Sequence, residues 1–186
     1  MKKTLYYLFS TFLLCISSAH GASSSGSAEG LVDEQIREAV SALHPSVHAE
    51  ALKHTQRLYA NQPEELEMIL SLLGELKNVK ASTQPFAVIH VACMDDVSDM
   101  GDVVDSWCQV NGIENGELRE RAITCMVNAK SLKDIKNIGN AWDTLSKIEN
   151  LGLQQAALNK MLEARSTTKM DNIAERAADM DEVLSA

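Results

Sequence analysis

Residues 107–122 read WCQVNGIENGELRERA, and residues 142–157 read WDTLSKIENLGLQQAA. Set 35 residues apart, the two stretches share Trp107 with Trp142, Ile113-Glu114-Asn115 with Ile148-Glu149-Asn150, Leu118 with Leu153, and Ala122 with Ala157. The Cys93-Met94 and Cys125-Met126 pairs repeat at a spacing of 32. In each stretch an apolar pattern of helical spacing leads into a polar loop and out into a second helical pattern. A period of this length with two helices per unit is the mark of stacked helical hairpins. A hairpin of this kind cannot bury its apolar side alone, so neighbours stack. The Trp, Leu-Gly and Tyr spacing of tetratricopeptide repeats and the Thr-Pro-Leu-His string of ankyrin repeats do not occur. The expected fold class is all-α, a short array of antiparallel helical hairpins like an α-solenoid; the alternative is an irregular helical bundle.

Working outward, the same periodicity predicts nine helices and no strand. The first carries Leu31, Ile36, Val40 and Leu43 and ends before Pro45. The second covers about 46–60, and the third opens at Pro63, where proline suits a first turn. Residues 79–84 read as a linker. Pro85 opens a fourth helix whose stripe is Phe86, Ile89, Cys93 and Val97. Ala87, Val88 and Val91 widen that stripe almost to a full circle, which predicts the most buried helix of the set. A turn at 98–102 leads to the fifth helix, with Val103, Val104, Trp107 and Val110. The sixth shows Leu118, Ala122, Cys125 and Met126, and Ser131 with Asp134 forms a capping box for the seventh. The eighth carries Leu153, Leu158 and Met161, and Thr167 or Thr168 caps a ninth.

The N-terminus carries a different signal. Met1-Lys2-Lys3 is followed by an uncharged apolar run from Leu5 to Ile16 and by small residues at Ala19 and Gly21. That order describes a secretory signal peptide, with cleavage expected after Gly21. The run is shorter than the ~20 apolar residues a membrane span needs. The expected organisation is a signal peptide at 1–21, a flexible Ser/Gly leader at 22–30, and one all-helical domain at 31–186. Export to the periplasm or the extracellular medium follows, with no membrane insertion once the signal is removed.

Composition narrows the function classes. The chain of 186 residues has a net charge of −9, and loss of Lys2 and Lys3 with the signal leaves −11. An acidic chain with 4% aromatic residues does not suit nucleic acid or an anionic membrane, which reward basic faces. It suits another protein with a basic surface. Three cysteines follow the signal segment, an odd number in an oxidising compartment. Cys93 and Cys108 are equidistant from the turn at 98–102, which makes them the favoured disulfide; Cys108 with Cys125 is the alternative, and three buried thiols the plainer outcome.

Candidate chemistry is sparse. Asp95, Asp96, Asp99, Asp102 and Asp105 crowd one turn, but an EF-hand loop started at Asp96 would place Met100 and Trp107 where oxygen ligands belong. His44, His48 and His54 lie near one another, yet Pro45 interrupts them and a zinc site would need a further ligand such as Glu50. His90 reads as a hydrogen-bonded core residue, and Trp107 and Trp142 as core layers. No nucleophile elbow, zinc-protease motif, phosphate-binding glycine loop or Cys-x-x-Cys pair occurs. No catalytic, cofactor-binding or metal-ligating residue is therefore assigned. The expected function is that of an exported protein-binding module, with self-association as an added property of stacked repeats. The competing expectation is a helical enzyme whose site is built from dispersed His and Asp residues.

Overall fold

In the computed structural model, residues 25–185 are described, with side chains from Gly30 onward. The expected signal peptide at 1–21 lies outside the described residues. Residues 34–185 form one compact unit. The described residues are all-helical, with nine α-helices and no strand.

The helices are α1 (Ser25–Ser41), α2 (His48–Asn61), α3 (Leu66–Leu76), α4 (Gln84–Ala92), α5 (Val97–Gly112), α6 (Gly116–Val127), α7 (Leu132–Ser146), α8 (Leu151–Leu162) and α9 (Thr167–Ser185). Short 3-10 turns at Pro45–Val47 and Pro63–Glu65 precede α2 and α3. Proline opens each turn because its missing N–H is one that a helix start cannot use. Most later starts carry side-chain caps. Asp96 accepts from Ser98 N, Asn115 from Glu117 N and Leu118 N, and Asn150 from Leu153 N. The predicted capping box is present: Ser131 Oγ accepts from Asp134 N at 3.1 Å and donates to the Asp134 carboxylate at 2.8 Å.

Three expectations need correction. The stretch Ser25 to Gly30, expected as a leader, lies within α1. The turn expected at 98–102 is helical, because Asp96 caps an α5 that begins at Val97, six residues before Val103. The inward stripe expected on α4 is also misplaced: Gln84, Ala87, Val88 and Val91 are buried, whereas Phe86, Ile89 and Cys93 are exposed. A nearly all-apolar helix does not announce which side faces the core, and the largest side chains misled the reading.

The core is a column of aliphatic residues with two indoles. Trp107 and Trp142 are fully buried. Helices α3, α5, α7 and α9 pack each on the next. Between α5 and α7 the approach is close enough to need glycine: a Cβ on Gly139 would stand 2.9 Å from Ser106 Cβ and 3.1 Å from its Cα.

A set of polar side chains, each at or near the start of a helix, ties one pair of helices to the preceding loop. His48 Nε2 donates to Leu43 O at 2.9 Å. Gln84 Nε2 donates to Val79 O at 3.1 Å, and also to Leu76 O and Lys77 O. Arg119 Nη1 donates to Ile113 O at 3.0 Å, and Gln154 Nε2 to Ile148 O at 3.2 Å and Leu145 O at 3.1 Å. The accepting residues Leu43, Val79, Ile113 and Ile148 are all 4% exposed or less. These donors satisfy carbonyls at helix C-termini that have no partner within the helix. The residue after three of these carbonyls is held as well. His44 N donates to Gln84 Oε1, Lys80 N to Asn111 Oδ1, and Glu149 N to the buried Asp181 carboxylate.

Candidate functional site

The exposed face of α4 carries large apolar side chains. Counting from the tying residues His48, Gln84, Arg119 and Gln154 puts equivalent places of α2, α4, α6 and α8 side by side. Three places on stand Ala51, Ala87, Ala122 and Ala157, all buried. Seven places on stand Thr55, Val91, Met126 and Met161, all buried. The places two, five and nine on are exposed in every case. There α2 carries Glu50, Lys53 and Arg57; α6 carries Arg121, Thr124 and Asn128; α8 carries Ala156, Asn159 and Glu163. Helix α4 instead carries Phe86, 39% exposed, Ile89, 55% exposed, and the exposed thiol of Cys93. The spacing i, i+3, i+7 sets them in one stripe.

The titratable groups beside this stripe serve the fold. His90 accepts a hydrogen bond at Nδ1 from the Trp107 indole N–H at 3.3 Å, and the two rings lie 5.8 Å apart. Burial lowers its pKa from the ordinary histidine value. At the equivalent place in the next pair, the indole N–H of Trp142 faces the Cys125 thiol without closing a full hydrogen bond. His54, 4% exposed, has its pKa pushed down to about 4 by burial and then by the charge of Arg57, against opposing pulls from Asp95 and Glu50. Its Nδ1 accepts from Arg57 Nη2 at 3.2 Å, and its Nε2 has no partner among the described residues. Arg57 also donates to Ala92 O and Met94 O and pairs with Asp95, which fastens α2 to the end of α4.

The remaining sequence candidates are scattered. His44 Nδ1 lies 2.8 Å from Ser46 Oγ and caps the Pro45 turn, while His48 is a tying residue and His54 is buried. Asp96 is a helix cap and Asp102 pairs with Lys136 at 2.7 Å. Among the described residues, no group of three or more His, Cys, Asp or Glu side chains is placed to hold a metal ion.

The favoured Cys93–Cys108 disulfide is not formed: all three cysteines of the described residues are free. Cys93 caps the end of α4, and Cys108 stands 12 residues beyond Asp96, about 18 Å of helical rise up α5. The two are not level once the turn moves forward. Burial first, with Glu75 and Asp105, pushes the Cys108 thiol up to about 11, and burial raises Cys125. Neither is a ready thiolate.

Shallow clefts among the described residues include two of similar size. One, of about 250 Å³, is lined by Arg37, Val40, Ser41, His48, Ala49 and Leu52. The other, of about 270 Å³, is lined by Asp179, Met180, Val183 and Leu184. Neither brings a histidine and a carboxylate together. No family model, curated protein or solved structure matches this chain.

The tying residues and the outward turn of Phe86 and Ile89 were not singled out in the sequence. The available signal was the spacing of Gln84, Arg119 and Gln154, which are 35 residues apart.

Proposed function

We propose that this chain is an exported array of antiparallel helical hairpins that binds another protein through the outer face of α4. The array reading is supported by the carbonyl ties at His48, Gln84, Arg119 and Gln154 and by the buried positions that recur at the same distance from each. Export is supported by the N-terminal sequence. No helix among the described residues is long and apolar enough to cross a membrane.

One observation carries the binding reading. Phe86, Ile89 and Cys93 occupy places that are almost all polar on α2, α6 and α8, so the fold does not require an apolar stripe there. Exposed large apolar residues cost solubility, and aromatic and aliphatic anchors of this kind are what protein interfaces bury. A partner with a basic rim would suit the acidic chain.

The test is covalent cross-linking of tagged protein in its native cell, with mass spectrometry of what is captured from the exported fractions. One dominant protein partner is expected, lost in a Phe86→Glu, Ile89→Glu variant whose helical circular dichroism and melting temperature match the parent. Capture of that partner unchanged by the double substitution sinks the α4 reading. Absence of any partner for exported, folded protein sinks the binding reading.

A further inference from the structure

One nitrogen atom holds the end of α4 to α2. Arg57 Nη2 lies 2.8 Å from Met94 O, and 3.2 Å from each of Ala92 O, His54 Nδ1 and an Asp95 carboxylate oxygen. It has only two hydrogens for these four acceptors, so they share it. Ala92 O and Met94 O stand at the end of α4 on either side of Cys93, carbonyls of the kind a helix end leaves without an internal partner. The Arg57 side chain is 47% exposed, whereas His54 is 4% exposed. Because Nδ1 accepts, the neutral ring carries its proton at Nε2, which has no partner among the described residues.

We propose that Arg57 and His54 form a proton-operated clasp on the end of α4, closed while the ring is neutral and opened when acid protonates it. The clasp stands apart from the binding reading above. A proton taken up at Nδ1 removes the acceptor that Arg57 uses and sets a second cation beside the first. The guanidinium cannot give up its own charge, and its way out is open to water, so it is the group that moves. Once it leaves, Ala92 O and Met94 O lose their donor, and the last turn of α4 with Cys93 is free to fray. Gln62 Oε1 still accepts from Val97 N at 3.0 Å and keeps α2 tied to the start of α5, so the loosening stays local. The charged groups acting on the ring are Arg57 and Glu50 of its own helix and Asp95 from the turn after α4. Glu64, Glu65 and Glu67, on the turn and helix that also pack on α2, do not enter that balance. The two carboxylates favour the protonated ring, but burial and Arg57 outweigh them and hold its pKa down to about 4 in the closed state. An opened, hydrated ring returns to the ordinary 6.5, so falling pH favours the open state between those two values.

Native-state amide hydrogen exchange on the purified protein tests this at Cys93 and Met94, whose N–H groups bond to His90 O and Val91 O in that last turn. With the ring passing from a pKa of about 4 to 6.5 on opening, the open fraction is expected to rise about 20-fold between pH 7 and pH 5, after correction for the intrinsic exchange rate. Low urea is expected to leave this exchange unchanged, because a local opening exposes little surface, while exchange at the buried Trp107 rises with urea. In His54→Gln, which stays uncharged, the acid response is expected to vanish. Arg57→Gln changes an exposed side chain and leaves the core intact; its Cys93 and Met94 amides are expected to exchange faster than the parent's already at pH 7. No acid response in the parent, the same response in His54→Gln, or full protection in Arg57→Gln at pH 7 each overturns the clasp. So does an acid response that urea enhances in step with Trp107, which would be unfolding of the whole chain.

Discussion

Gln84 shows how much structure one polar side chain can hold. It is 4% exposed, donates to three carbonyls at the end of α3, and accepts from His44 N at 2.7 Å. Truncation would leave buried carbonyls and a backbone N–H without partners. Gln84→Ala is therefore expected to cost about 2–4 kcal/mol, and Gln84→Met, which keeps the bulk, nearly as much. The midpoint of urea unfolding checks it; a loss below the scatter of surface substitutions would mean that water replaces these bonds. In the sequence Gln84 reads as the end of a linker, since glutamine has no pattern that betrays burial. Its role depends on carbonyls that only the folded turn places around it. The histidines mislead for the same reason. His44, His48 and His54 suggest one cluster by proximity, whereas three different local needs separate them.

At the level of elements, helical periodicity was enough to find every helix, and most ends fell within a few residues. Capping side chains at Asn115, Ser131 and Asn150 explain why those starts were clear. The start of α5 was not, because the aspartate that caps it sits among four others. Faces were harder than existence: α4 has apolar residues all round, and only packing chose between Phe86 and Val88. The α5–α7 contact was invisible in the sequence, since a glycine in mid-helix usually reads as a defect. Here it permits the approach to Ser106. Alanine favours helix over glycine by about 1 kcal/mol. Gly139→Ala is nevertheless expected to destabilise by about 1–3 kcal/mol, because both opposing atoms belong to a fixed backbone and Cβ. Gly74→Ala in α3 has nothing within 4 Å and is expected to stabilise by about 0.5–1 kcal/mol. Opposite signs in thermal melts of the two variants check the pair; the same sign in both would refute the close approach.

For the molecule as a whole, acid stability follows chiefly from His54, with the half-buried His90 adding to it in the same direction. Its folded pKa of about 4 lies below the ordinary 6.5, so the unfolded chain takes up a proton at a higher pH than the folded one. Stability is then complete above pH 6.5 and declines as pH falls toward 4, by about 2–3 kcal/mol in all. Asp96 and Asp134, whose carboxyls are held low by hydrogen bonds, weaken the fold only at lower pH still. Urea midpoints measured from pH 7.5 to pH 4 are expected to show this decline in the parent and a flatter profile in His54→Leu. An unchanged slope in the variant would place the acid sensitivity elsewhere. The acidic charge of the chain was plain from its composition, but this pH window was not, because it arises from burial beside Arg57.

The ties between helices also bear on how the chain acquires its structure. Gln84 bonds back to residue 44, Asn111 to residue 80 and Asp181 to residue 149, and helices pack chiefly on the next or the next but one. Contacts of such short reach close small loops, and small loops form early and at little entropic cost. Each stretch of roughly two helices can therefore settle onto the one before it as soon as it is free to fold. The last residues need not be present before the first have found their places.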